Sequence, residues 1–140
     1  MPALVLPVGE ERYAIDTARV REVIADPRAT PLPGAPGWVL GVINLRGEVV
    51  PLLDTTALLG LGAMGPASFA VVVDLELGPA ALGTTGSPEV ATLDEPLGPS
   101  ELPGTLGRHR VDRDLVVLLE PDALLAAARG DAPLPAGGAG

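Results

Sequence analysis

The stretch Leu40-Gly41-Val42-Ile43-Asn44-Leu45-Arg46-Gly47-Glu48-Val49-Val50-Pro51-Leu52-Leu53-Asp54 decides how this chain is read. Two apolar runs rich in Val, Ile and Leu flank Arg46-Gly47. Such runs read as strands, and the break between them reads as a tight turn in which Gly47 can take φ > 0. Residues 38–45 are apolar at nearly every position, so this strand is expected to be buried on both faces. Pro51 has no N–H to give a ladder, so the return strand, 48–53, should lie at an edge or carry a bulge. Asp54 is placed to cap a short helix over 55–59, and Gly60 to end it.

Working outward, residues 3–8 and 12–16 form two short apolar runs around Gly9-Glu10-Glu11 and read as a hairpin. Asp16 can cap a short helix in which Val20, Val23 and Ile24 share one face at i, i+3 and i+4, with Pro27 stopping it. Pro31, Pro33, Gly34, Pro36 and Gly37 make a stiff connector. Downstream, 69–77 reads as a strand and 80–93 as two short strands around Gly86-Ser87-Pro88. Residues 94–107 read as a long ordered loop, and 107–119 as a hairpin turning near Asp112-Arg113. Pro121 opens a final helix, with Arg129 in its last turn and Gly130 after it. Residues 1–130 are expected to form a single domain, and 131–140 a disordered tail.

The quoted stretch has a copy. Sliding the chain by 66 positions places Leu40-Gly41 on Leu106-Gly107, Val50 on Val116, and Leu52-Leu53 on Leu118-Leu119. Ala57-Leu58-Leu59 falls on Ala123-Leu124-Leu125, while Glu48 and Asp54 fall on Asp114 and Glu120. The shared pattern is strand, turn, strand, acidic residue, helix. Two such units imply two similar small lobes.

Composition limits the function. The chain has 140 residues, 47% of them hydrophobic, and a net charge of −9, which argues against nucleic-acid binding. Arg108, His109, Arg110 and Arg113 lie among aspartates and read as a solvated hairpin. There is no cysteine, and so no disulfide or zinc–thiolate site. No apolar run approaches a membrane span, and no signal peptide is legible after Met1. A cytoplasmic location is the expectation.

Catalytic chemistry is not legible either. The single histidine, His109, sits on the charged hairpin. Ser68, Ser87 and Ser100 lack a nucleophile-elbow context, and there is no phosphate loop or dinucleotide fingerprint. No catalytic residue, metal ligand or cofactor is assigned.

Residues 40–54 resemble the signature of the CheW-like family, the coupling proteins of bacterial chemosensory arrays. The family pattern runs approximately G-V-I-N-L-R-G-x-V-V-P-V-I-D-L. Tyr13-Ala14-Ile15-Asp16, Val20-Arg21-Glu22-Val23, Pro31-Leu32-Pro33-Gly34 and residues 69–73 extend the similarity upstream and downstream. With Thr105-Leu106-Gly107 and residues 115–125 it covers about 3–128. Two departures stand out. Residues 82–90 weaken an apolar strand and introduce Pro88, and Glu120 replaces an aspartate, so the second lobe is expected to be the altered one.

The resemblance implies a mainly β fold: two small five-stranded β-barrel subdomains packed together, with short helices including a C-terminal one. It implies a non-enzymatic adaptor that joins the cytoplasmic tip of a chemoreceptor to the regulatory domain of a CheA-type histidine kinase. By motif position, Val20, Glu22, Val23, Arg46 and Gly47 are expected at the partner-binding surface, with a Glu22–Arg46 salt bridge bracing the helix against the turn. Simple core packing is the competing role for Val20 and Val23. An adaptor of another receptor–kinase pathway, such as surface motility, and a regulatory domain binding a small ligand between its lobes are the alternative functions.

Overall fold

The computed structural model describes residues 1–130; the expected tail, 131–140, lies outside the described residues. The strands are β1 (Pro2–Val8), β2 (Glu11–Asp16), β3 (Val20–Ala25), β4 (Val39–Leu45) and β5 (Glu48–Leu53), then β6 (Phe69–Leu75), β7 (Gly78–Thr84), β8 (Glu89–Thr92), β9 (Thr105–Val111) and β10 (Asp114–Leu119). Helix α1 (Thr55–Leu58) follows β5, and α2 (Pro121–Ala128) follows β10. The strands form two five-stranded sheets, ordered β8-β1-β2-β10-β9 and β3-β6-β7-β5-β4. Most neighbours are antiparallel; β10–β2 and β5–β7 are parallel.

The repeat read from the sequence organises both sheets. β4, β5 and α1 correspond to β9, β10 and α2 at a spacing of 66 residues. Similarly, β1-β2 occupies in its sheet the place of β6-β7 in the other. Each half also lends its next strand away: β3 follows β2 but pairs with β6, and β8 follows β7 but pairs with β1. The two lobes are thus tied by exchanged edge strands.

The mainly β class, the five-stranded units and the short helices are as the sequence implied. Closed barrels are not: β3 and β4 end one ladder and β8 and β9 the other. At each gap the strand pairing is reduced to an isolated bridge, Thr30 to Val42 and Gly98 to Arg108.

Alternation along the strands builds three cores. Ala3 and Val5 of β1 face the interior of their own lobe with Ala14, Val116 and Leu118. Ala70 and Val72 of β6 do the same with Ile43, Val50 and Leu52. The opposite faces, Leu4, Leu6 and Val8 with Val71, Val73 and Leu75, meet in one shared core together with Leu119 and Leu124. β1 and β6 are therefore buried on both faces, as are Tyr13–Ile15 of β2 and Ala80–Leu82 of β7.

Several local expectations are corrected. β4 is not buried on both faces; it is an edge strand, with Asn44 exposed. Its apolar run fits burial, but it has a partner ladder only on the β5 side. Val20, Val23 and Ile24 lie on β3, not on a helix; only Thr17–Arg19 forms a 3-10 turn. A five-residue window cannot separate the two periods, and the free edge of β6 selects the strand, which suits β-branched residues. The loop 94–107 is shorter than read, since β9 begins at Thr105. His109 is 7% exposed, with Nδ1 2.9 Å from the Asp94 carbonyl oxygen, so it is not part of a solvated face. The weakened segment 82–90 is divided: 82–84 belong to β7, in the same sheet as the quoted stretch, and Glu89 and Val90 to β8, in the other, so the departure does not fall on one lobe alone. Within β7, Gly83 allows a close approach: a Cβ would meet Ala67, Met64 and the Leu53 carbonyl oxygen at 3.1 Å, and these neighbours would have to give by a few tenths of an ångström.

Pro51 sits where its missing donor does no harm: the β5–β7 ladder begins at Leu52. Asp54 and Glu120 are equivalent caps, accepting from Ala57 N and Ala123 N. Asp54 is 2% exposed and also accepts from Met64 N at 3.1 Å. Asp54→Ala is expected to cost about 2 kcal/mol, near the upper end for a lost cap, because a second N–H is orphaned with it. Urea denaturation measures this; a loss within about 0.5 kcal/mol, the ordinary surface range, would remove the cap from the argument.

Candidate partner-binding site

Four of the five residues singled out by motif position converge at the open edge of the β3-β6-β7-β5-β4 sheet. Arg46 and Gly47 form the β4–β5 turn with φ of 51° and 86°, both left-handed, as a two-residue hairpin turn requires. Asn44 Oδ1 accepts from Gly47 N at 2.9 Å and fixes the turn. β3 supplies the other residues. Val20 pairs with Val73 and Glu22 with Val72, so Arg21 is the extra residue of a bulge. A bulge re-aims side chains, and here neighbouring Arg21 and Glu22 both reach across the sheet's open edge.

The structure brings Glu22 and Arg46 together. Arg46 donates from Nη1 to Glu22 Oε1 at 3.2 Å and from Nη2 to Oε2. The pair spans the gap between the two ends of the sheet, and it braces a strand against the turn, where the sequence suggested a helix. Beside it, Arg21 donates from Nη1 to Glu48 Oε1 at 2.8 Å and from Nε and Nη2 to Asp74. This second bridge joins β3, β5 and β6.

Hydrogen bonding from Arg46 holds the Glu22 carboxyl below its ordinary pKa, and hydrogen bonding from Arg21 does the same for Asp74. The same contacts raise the Arg46 and Arg21 guanidinium values. For a depressed carboxyl the stabilising contribution is present above its unfolded pKa and is lost as pH falls through the lowered folded value. The groups are solvent-accessible, so the value of these bridges is positional.

Val23 is 43% exposed, whereas Val20 is half-buried and packs against the shared core. Val20 is thus tied to packing, and Val23 is available at the surface. Arg21, Glu48 and Asp74 were missed in the sequence. Their charges are legible, but nothing in the spacing says that residues 21, 48 and 74 share one sheet edge.

An apolar groove of about 450 Å³ lies between this sheet and α2, lined by Trp38, Val39, Val49, Leu77, Leu125 and Arg129 among others. Among the described residues no group of three or more His, Cys, Asp or Glu could hold a metal ion, and no helix is long and apolar enough to cross a membrane.

The CheW-like domain model matches residues 2–129. The chain belongs to the CheW-like family. It is 28% identical over 135 residues to the probable chemotaxis protein CheW of Rhizobium etli, covering 89% of this chain and 87% of that protein. It is 44% identical over 66 residues to the chemotaxis protein CheW of Rhizobium meliloti, covering 47% of this chain but only 43% of that one. In fold it is similar to the crystal structure of the scaffolding protein CheW from Thermoanaerobacter tengcongensis, with a TM-score of 0.75 and 24% identity, over 88% of this chain and 90% of that one. As a CheW-like chain it is a non-enzymatic, cytoplasmic scaffold of chemotaxis signal transduction.

Proposed function

We propose that this chain couples the cytoplasmic tip of a chemoreceptor to the regulatory domain of a CheA-type histidine kinase. The CheW-like match across residues 2–129 carries the reading. The partner-binding surface is Glu22, Val23, Arg46 and Gly47, with Val20 supporting it from below. Arg46 is 69% exposed on its side chain and is held in one orientation by Glu22, a preorganised cation at the rim of an interface. Val23 supplies an apolar contact beside it.

Affinity for a kinase regulatory domain tests this. Arg46→Ala is expected to weaken binding about tenfold, the range of a moderately important interface residue. Arg28→Ala is the control: Arg28 is 91% exposed and lies 3.8 Å from Asp26, away from the turn. Equal affinity for the two variants would remove Arg46 from the interface. A pull-down returning neither a kinase nor a receptor would sink the adaptor reading as a whole.

The apolar groove favours a second reading, a regulatory domain that takes a small ligand. A bound apolar molecule released on denaturing the purified native protein would support it.

A further inference from the structure

The start of α2 carries another ion-pair cluster, made of residues other than those of the partner-binding surface. Arg19 ends the 3-10 turn through which the chain leaves β2, in one sheet, for β3, in the other. Its guanidinium donates from Nη1 to Glu120 Oε1 and from Nη2 to Asp122 Oδ2, the latter at 2.7 Å. Each carboxylate spends its other oxygen on a backbone N–H. Glu120 Oε2 accepts from Ala123 at 2.7 Å, and Asp122 Oδ1 accepts from Glu76 at 2.9 Å. One guanidinium thereby ties the connector between the sheets, the first turn of α2 and the β6–β7 turn.

This cluster is also the better shielded one. The Arg19, Glu120 and Asp122 side chains are 30%, 26% and 33% exposed. In the Arg12–Asp114, Arg21–Glu48, Arg21–Asp74 and Arg46–Glu22 pairs, at least one partner is 47% exposed or more. Glu120 stands where the first copy has Asp54. Asp54 caps its helix and accepts from Met64 N, with no arginine partner. The longer Glu120 caps α2 and still reaches Arg19.

The apolar groove is framed by the parts this cluster joins. Leu75, Leu77 and Gly78 of the β6–β7 turn form one rim, and Leu125 and Arg129 of the α2 end form the other. Glu76, held by Asp122, lies between Leu75 and Leu77. Leu125 follows Asp122 by three residues, on the same side of the helix. Arg19 itself does not line the groove.

We infer that Arg19 is a positioning residue: through Glu120 and Asp122 it holds α2 and the β6–β7 turn at the separation that forms the groove. The inference does not depend on which partner the adaptor binds, and its test needs none.

Trp38 is the only tryptophan of the chain and lines the groove, so its fluorescence reports the groove alone. The full chain is compared with Arg19→Ala, Arg19→Lys and, as control, Arg12→Ala. Emission and acrylamide quenching are read in native buffer, with far-UV circular dichroism establishing that each variant is folded. Arg19→Ala is expected to shift Trp38 emission to the red and to raise its quenching constant. Arg19→Lys keeps the charge but loses the fork that spans two carboxylates, so it is expected to fall between Arg19→Ala and the unaltered chain. Arg12→Ala, which removes an exposed pair elsewhere, is expected to change neither. A folded Arg19→Ala with unaltered emission and quenching overturns the inference. If Arg19→Ala does not fold, Arg19→Lys decides: an unaltered Trp38 signal overturns it, and a shifted one supports it. A purely structural role would lower the melting temperature without moving the native Trp38 signal.

Discussion

Gly104→Ala is expected to unfold the protein or to cost at least about 4 kcal/mol, the range reserved for clashes that the fold cannot relax. Gly104 has φ of 77°, and a Cβ there would lie 2.3 Å from Leu124 Cα, 2.7 Å from Leu124 N and 2.8 Å from Leu124 Cβ. Two of these atoms belong to the α2 backbone, so no side-chain rotation relieves the overlap. The helix would have to lift. Leu124 is fully buried in the shared core, and the Gly104 carbonyl accepts from Glu120 N at 2.9 Å, so lifting α2 breaks both. Gly9→Ala is the matched control. Gly9 has φ of 62° with nothing within 4 Å of a Cβ, so only left-handed strain remains, about 1–2 kcal/mol. Thermal and urea melts of the two variants separate the terms. Equal losses would mean that the close approach to Leu124 does not matter.

The next largest effect is expected at the shared core. Leu6 is fully buried on the face of β1 that meets β6 and the two helices. Leu6→Ala should cost about 2–5 kcal/mol through lost burial and the cavity left behind. Leu115, on β10 but 55% exposed, should change stability by no more than about 0.5 kcal/mol when made Ala. Because both sheets contribute to the core around Leu6, its loss should appear in one cooperative transition. Two resolved transitions would show that the lobes fold separately and that the shared core does not couple them.

Much of the site was legible residue by residue. Arg46-Gly47 announces a tight turn because Gly follows a charged residue between two apolar runs, and the turn is there with both residues left-handed. The cap at Asp54 was visible from its place before a short apolar helix; the repeat put Glu120 at the matching position, and the structure shows that it caps too. The repeat was visible because both copies keep the same register of apolar and acidic residues. What spacing alone could not supply was partnership. Arg21 meets Glu48 and Asp74 only because β3 joins the sheet of β6 and β5. Arg19 meets Glu120 and Asp122, about a hundred residues away, only because the connector passes the start of α2.

The duplicated stretch around Arg46-Gly47 determined, by itself, the family, the mainly β class and the positions of the turns and caps. These depend on local chemistry: β-branched runs, a glycine free to take positive φ, a carboxylate one residue before a helix. The tertiary structure alone decided that β3 is a strand, that β4 is an edge strand while the inner strands β1, β2, β6 and β7 bury both faces, and that His109 turns inward. Each of these depends on which strand finds a neighbour. A free edge on β6 captures residues 20–25, and the exchange of β3 and β8 between the lobes leaves the two sheets facing one another across Leu6 and Val71. A run of sequence records how apolar a segment is; what covers it is fixed only when the distant segments meet.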